Sequence, residues 1–260
     1  MAKISAFIIT KNEASRIMTA INSIKEIVDE TIVIDSGSSD NTVQIAESLG
    51  ARVVLNQWCG YVKQKAFGES LCKHQWILNI DADEELSHEL KDEIEFIFAS
   101  DIQDRYYAYR VNFVILHRND IKPRFLAPSN KFIRLYNSTL CSFANTVQGT
   151  THDAVLFNPA VDSTNMIYDL NGIALHRSGT SIEQLVSKAN FYSTEQAKDM
   201  QLIGRNPSKI RIISEMWLWF LKAYFLRRYF VFGFDGFVDS VLLAFARFLR
   251  LAKARELNQK

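Results

Sequence analysis

The chain has 260 residues, which at about 150 residues per domain makes one domain or two. Its 48% hydrophobic and 23% charged residues exclude a disordered tail, a collagen-like repeat and a disulfide-rich miniprotein. A net charge of +1 excludes a general attraction to nucleic acid, but it is unevenly spread: residues 203–260 carry 11 Lys/Arg against 4 Asp/Glu, and the rest of the chain 19 against 25.

Residues 4–10, a short β-branched and aromatic run, read as a buried strand. The spacing of Ile17, Ile21 and Ile24 predicts a helix over 12–27. Residues 31–34 form a second apolar strand that ends at Asp35. The turn Ser36-Gly-Ser-Ser-Asp40 then leads into a helix over 42–49, which Asp40 or Asn41 can cap and Gly50 ends. A third strand over 51–55, a helix over 62–73, a fourth strand over 76–80 ending at Asp81, and a helix over 87–99 follow. In the last, Leu90, Ile94, Ile97 and Phe98 make one apolar face. Strands of continuous apolar residues alternating with helices predict an α/β fold with a doubly wound, mostly parallel sheet flanked by helices. From Tyr106 the pattern changes to short alternating stretches at 107–114, 131–135, 154–157 and 173–176. These predict a more antiparallel extension of the sheet. From Ser181 onward the pattern is helical.

In such sheets ligands bind beyond the carboxyl ends of the strands. Lys11-Asn12-Glu13, Asp35-Ser36 and Asp81-Ala82-Asp83 therefore share one rim. Asp81 and Asp83, two carboxylates one residue apart at the end of a buried strand, can share a hard cation such as Mg²⁺ or Mn²⁺. The alternative is a solvated acidic turn ahead of the helix at 87. A phosphatase signature of the D-x-D type is discounted, because Glu84 follows where Thr or Val is usual and the motif ends the fourth strand instead of the first. After Asp35, backbone amides of the turn can meet a phosphate, or the carboxylate can accept from a base or ribose. Lys65 can neutralise a diphosphate or be a solvated helix lysine. His152-Asp153 and His176-Arg177 can serve metal binding or packing, and Asp153 can act as a general base.

Three cysteines without C-x-x-C spacing predict free thiols in a reducing compartment. The apolar run before Lys11 is too short for a signal peptide, so a cytosolic chain is expected, and no uncharged apolar run reaches the ~18 residues of a membrane span, so no transmembrane helix is expected. Residues 217–237 interleave Trp, Tyr and Phe with Lys222, Arg227 and Arg228. Such a segment fits an anionic membrane surface or an aromatic helical core.

Several of these pieces together resemble the family 2 glycosyltransferases, and within them the bacterial lipopolysaccharide core β-1,4-glucosyltransferases. They are Ala6-Phe-Ile-Ile-Thr-Lys-Asn-Glu13, Val33-Ile-Asp-Ser-Gly-Ser-Ser-Asp40, Trp58-Cys-Gly-Tyr-Val-Lys-Gln-Lys65-Ala-Phe-Gly68, Leu78-Asn-Ile-Asp-Ala-Asp-Glu-Glu85, Phe132-Ile-Arg-Leu-Tyr136, His152-Asp153 and His176-Arg-Ser178. The resemblance implies a GT-A fold over residues 1–180, with a nucleotide-sugar-binding half (1–105) and an acceptor-side half (106–180). Residues 181–260 become a helical aromatic and basic extension at the membrane surface. It also implies an inverting hexosyltransferase that uses Mg²⁺ or Mn²⁺, a UDP-sugar donor such as UDP-glucose, and the inner core of lipopolysaccharide as acceptor. By position, Thr10, Glu13 and Asp35 meet the uridine, Lys65 the nucleotide, and Asp81 the ribose or donor sugar. Asp83 holds the metal on the diphosphate, and Asp153 is the base. The implied location is cytoplasmic, peripheral on the inner membrane. A polyprenyl-linked or capsule intermediate as acceptor, or a non-catalytic nucleotide-sugar-binding protein of the same fold, are the alternatives.

Overall fold

The computed structural model describes residues 2–118, 120–143, 154–160, 162, 164–177, 179 and 181–259. They form two compact units. One draws on residues 2–114, 130–143 and 154–176, the other on 115–129 and 177–259.

The first unit is built on an eight-stranded sheet in the order β3-β2-β1-β4-β7-β6-β10-β5. Its first half comprises β1 (Ile4–Thr10), β2 (Glu30–Asp35), β3 (Arg52–Leu55) and β4 (Trp76–Asp81), all running parallel. This is the doubly wound half expected from the alternating apolar runs. The second half contains β5 (Glu84–Leu86), β6 (Ala108–Ile115), β7 (Ser129–Asn137) and β10 (Ile167–His176). Here β4 pairs with β7, and β10 with β5, antiparallel, so the sheet as a whole is mixed. A separate two-stranded ladder joins β8 (Cys141–Ser142) to β9 (Leu156–Phe157).

Every residue of β1 is buried because both faces of the parallel half are covered. Ile4, Ala6 and Ile8 pack on one side with residues of α1 (Ile17–Ile24), α2 (Thr42–Ser48) and α4 (His88–Ala99). Phe7 and Ile9 pack on the other side with Ile32, Ile34, Tyr136 and Phe67 of α3 (Tyr61–Ser70). Fully burying side chains of this size contributes about 1.5–3 kcal/mol each. Gly68 lets α3 approach: a Cβ there would lie 2.6 Å from Phe7 Cδ2. Gly172 does the same for β10 against α4, where a Cβ would lie 2.4 Å from the Leu90 Cα.

Two differences from the sequence reading bear on the site. The first helix starts at Ile17, not at 12, because the backbone amides ahead of it are given to the turn after β2. Asn12 N donates to Ser38 Oγ at 2.8 Å, Glu13 N to Thr42 Oγ1 at 2.8 Å and Ala14 N to Asp40 Oδ2 at 3.1 Å. Asn12 adopts φ 56°, a left-handed conformation that Asn tolerates better than most residues. The acidic stretch after β4 is not wholly a turn either. Its last residues form β5, which pairs with the end of β10 at the far edge of the sheet.

The second unit is mainly helical: α5 (Ile182–Leu202), α6 (Lys209–Leu221) and α7 (Gly233–Leu257), with a π turn (Lys222–Leu226) and a 3₁₀ turn (Tyr229–Phe232) between α6 and α7. α7 packs against both α5 and α6. Its buried positions Gly236, Ser240 and Ala244 recur every four residues and let the helices approach closely. The stretch Tyr229–Leu257 is long and apolar enough to cross a membrane by length and composition, with a mean hydropathy of 1.5 in its most apolar window.

Candidate active site

The carboxyl ends of β1, β2 and β4 bring Thr10, Asp35 and Asp81 to one rim, through the paired registers Thr10 with Asp35 and Ile9 with Asp81. Each residue there is held differently. Thr10 is buried, and its Oγ1 has no hydrogen-bond partner among the described residues. Such a group is satisfied when a ligand supplies the partner. Asp35 is buried and accepts from Gly37 N and Ser38 N, both at 2.8 Å, and from the Ser38 hydroxyl. Gly37, at φ 86°, makes that turn possible. Glu13 forms a two-pronged pair with Arg16, whose Nε and Nη2 donate at 2.7 and 2.6 Å.

Asp81 lies between two cations. Lys65 Nζ is 3.0 Å from Oδ1, and Arg134 Nη2 is 2.9 Å from Oδ2. Burial opposes the Asp81 charge, but Arg134 and Lys65 outweigh it and hold the carboxyl well below the usual range. Lys65 is only 1% exposed and sits on the buried face of α3, so it is no solvated helix lysine. Its charge points at Asp81 and lies 5.7 Å from the centre of the Phe143 ring.

Arg134 is the hub below the rim. Its register on β7 follows from the antiparallel pairing with β4, which sets Leu135 opposite Leu78. The guanidinium lies 5.0 Å from the centre of the Phe113 ring and 5.7 Å from that of Phe132. It donates to Asn79 Oδ1 at 2.9 Å and to Glu84 Oε1 at 2.6 Å as well as to Asp81. Glu84 Oε2 in turn accepts from Asp81 N at 2.8 Å. Burial raises the Glu84 carboxyl, and the Asp81 charge adds to that rise against the pull of Arg134.

Asp83 meets two groups from distant parts of the chain. His176 Nε2 is 3.6 Å and Arg16 Nη1 3.5 Å from its Oδ2. The β10–β5 register fixes this meeting by placing His176 opposite Glu84, the neighbour of Asp83. Burial works to lower the His176 pKa, but the Asp83, Glu84 and Asp81 carboxylates outweigh it and raise it.

The carboxylate of Asp83 and the imidazole of His176 suit a divalent ion. They would hold such an ion through one oxygen and one nitrogen donor, which the β10–β5 pairing brings within 3.6 Å of each other. Among the described residues, no group of three or more His, Cys, Asp or Glu is placed to hold a metal ion. Asp153 lies outside the described residues, as does His152.

Local spacing assigns no separate role to Arg16, Arg134 or Glu84, and leaves His176 open between metal binding and packing. Arg134 carried a signal, since a charge within Phe132-Ile-Arg-Leu-Tyr136 is a charge in a buried strand and needs a partner. His176 carried none, because its closeness to Asp83 is set by a strand pairing absent from local spacing.

Comparisons with known proteins point to one family. The model of the family described as Glycosyl transferase family 2 matches residues 5–151, a span that holds every one of these rim residues except His176. A Rickettsia bellii protein described as an uncharacterized glycosyltransferase is 68% identical over 256 residues, 98% of this chain and 87% of that protein. The lipopolysaccharide core biosynthesis glycosyltransferase LpsC of Rhizobium meliloti is 27% identical over 259 residues, 96% of this chain and 91% of that protein. Among solved structures, glucosyl-3-phosphoglycerate synthase from Mycobacterium tuberculosis in complex with Mg²⁺ and uridine-diphosphate aligns with a TM-score of 0.48 and 16% identity over 80% of this chain and 81% of that one. A GT-A sheet whose parallel half ends in Thr10, Asp35 and Asp81, matched over more than half its length by one family and over nearly all of it by named glycosyltransferases, makes this chain a member of glycosyl transferase family 2.

Proposed function

We propose that the chain is an inverting, metal-dependent hexosyltransferase that moves glucose from UDP-glucose to the inner-core oligosaccharide of lipopolysaccharide. It works as a peripheral protein on the cytoplasmic face of the inner membrane. The observation that carries the catalytic reading is the convergence of Asp83 and His176 beside an Asp81 kept ionised by Lys65 and Arg134. The acceptor class rests on the similarity to LpsC along nearly the whole chain. Glucose and the UDP carrier come from the resemblance of the motifs.

Thr10, Asp35 and Glu13 bind the uridine end, with the free Thr10 hydroxyl gaining its partner there. Asp81 orients the ribose or the donor sugar, and Lys65 and Arg134 fix the position of its carboxylate. Asp83 and His176 would hold Mg²⁺ or Mn²⁺, which would offset the charge on the departing diphosphate. Asp153 takes the proton of the acceptor hydroxyl as that oxygen attacks the anomeric carbon. Attack comes from the face opposite the bond to UDP. That bond breaks, its electron pair leaves with the diphosphate, and the configuration inverts. Holding donor and acceptor in line supplies a large share of the acceleration.

UDP release by the purified chain across UDP-sugars, with Mg²⁺ or Mn²⁺ and deacylated lipopolysaccharide core, tests the reading. Release with UDP-glucose, stimulated by the core and lost with chelator, is expected. Asp83→Ala should lower turnover by about 10²-fold or more, the scale of losing one electrostatic contributor, with an unchanged circular dichroism spectrum. Near-native turnover by that variant would refute the metal site. An acceptor series including polyprenyl phosphate and capsule intermediates separates the acceptor assignment from the chemistry.

A further inference from the structure

The second compact unit carries a surface to which the proposed transfer assigns no role. On α6, Ile210, Ile213, Trp217, Leu218 and Leu221 are exposed, Ile210 by 80% and Trp217 by 68%. At 100° per residue these five share one arc of roughly 140°. The ridge continues beyond α6 in Phe225 and Leu226, the latter 78% exposed.

The opposite side of α6 is fastened to α7. Trp219 Nε1 donates to Glu215 Oε1 at 3.0 Å, and Arg250 Nη2 lies 3.3 Å from the same oxygen. The Arg247 guanidinium sits 3.9 Å from the centre of the Trp219 ring. These contacts fix which face of α6 is left outward.

The charges around the ridge have one sign. Between residues 203 and 234 stand Arg205, Lys209, Arg211, Lys222, Arg227 and Arg228, with Glu215 as the single acid. That acid is already paired with Arg250. An apolar, Trp-bearing helix face bordered by cations is complementary to the headgroup and acyl boundary of an anionic bilayer. It is poorly suited to a second copy of itself, because a two-fold contact brings each patch against its own like charges.

We propose that the α6 ridge docks this protein on anionic membrane, with α6 lying along the surface, the apolar arc in the boundary region and the flanking cations on lipid phosphates. This deepens the peripheral placement above and rests on it, but not on the identity of donor or acceptor. α7 stays with α5 and α6 and does not cross the bilayer.

The test uses the full chain in co-sedimentation with phosphatidylcholine vesicles, with and without phosphatidylglycerol, at low and high salt. Binding is expected only with phosphatidylglycerol, reversed by high salt and extractable by alkaline carbonate. Lys209→Gln with Arg211→Gln should weaken binding about 30-fold, from about 1 kcal/mol per cation near an anionic surface. Trp217→Ser with Leu221→Ser should weaken it as well. Both double variants change exposed side chains and should keep the circular dichroism spectrum and the UDP release measured with soluble acceptor.

Equal binding to neutral vesicles, resistance to carbonate, or a dimer in solution that Trp217→Ser with Leu221→Ser dissolves in place of vesicle binding would each overturn the proposal. Vesicle binding lost while UDP release persists refutes the surface alone. UDP release absent while vesicle binding persists refutes the transferase reading alone.

Discussion

Replacing Arg134 by Met tests whether one cation below the rim holds the acidic pair together. Arg134 makes charge-assisted hydrogen bonds of 2.9 Å to Asn79, 2.9 Å to Asp81 and 2.6 Å to Glu84. Met keeps an apolar stem beside Phe113 and Phe132 but removes all three. Asp81 retains Lys65 at 3.0 Å, whereas Glu84, 3% exposed, loses its main countercharge. The carboxyl then escapes its charge by taking a proton. At pH 7, protonating a group of ordinary pKa about 4.3 costs about 3.7 kcal/mol, at 1.36 kcal/mol per unit. Removing one partner of a buried pair costs about 3–5 kcal/mol by mutational experience. Because burial already raises the Glu84 carboxyl, the loss belongs at the low end, about 3 kcal/mol. For a chain of this size that is a fall of about 6–12 °C in Tm. Thermal denaturation followed by circular dichroism at pH 7 reads it. Adding Glu84→Gln should recover most of the loss, since Gln can still accept from Asp81 N. A melting point for Arg134→Met within about 2 °C of the parent, or no recovery with Glu84→Gln, would refute the reasoning.

Two further predictions concern groups away from the rim. Burial raises the Glu69 carboxyl, although Tyr136 Oη donates to it at 2.7 Å and Phe143 N at 3.0 Å. The folded chain therefore binds this proton more tightly than the unfolded one. The resulting stability is full below about pH 4.3 and is lost as pH rises through the raised folded value. Glu69→Gln should accordingly gain stability relative to the parent as denaturation is repeated at higher pH across that range, and a constant difference would contradict this. Among the thiols, burial pushes Cys72 and Cys141 up to about 12, whereas Cys59 is exposed. A disulfide reagent at mildly alkaline pH should therefore label Cys59 rapidly and the other two only on denaturation. Equal rates for all three would show that the interior around Glu69 is open to solvent.

The parallel half of the sheet was legible in the sequence because burial on both faces writes itself as unbroken apolar runs, as in β1 and the core of β4. The rim was legible for the same reason: once those strands are placed, the polar residues that end them must lie together. Helix α1 was misjudged at its start, because Asn12, Glu13 and Ala14 give their amides to Ser38, Thr42 and Asp40, partners 26 to 29 residues away. β5 was hidden for a related reason. Glu84 and Glu85 are poor strand formers on their own, and only pairing with His176 and Leu175 makes them one. Lys65 could be read as a charge near the nucleotide, but its helix shows little amphipathic pattern, so the sequence could not tell that it points inward.

The pairing of β5 with β10 also limits how this chain can vary. Asp83 and His176 stand 93 positions apart in the sequence, yet their separation in space is governed by three residue pairs in one ladder. Insertions before Ile167 leave that ladder intact. A single inserted or deleted residue between Gly172 and His176 would not, because a slip of one place turns every side chain of the strand to the opposite face. His176 would then leave Asp83, and Gly172 would no longer be the residue that passes Leu90. Length changes among functional relatives should therefore fall in the loops that precede β10, with the stretch from Gly172 to His176 kept constant in length even where its side chains differ.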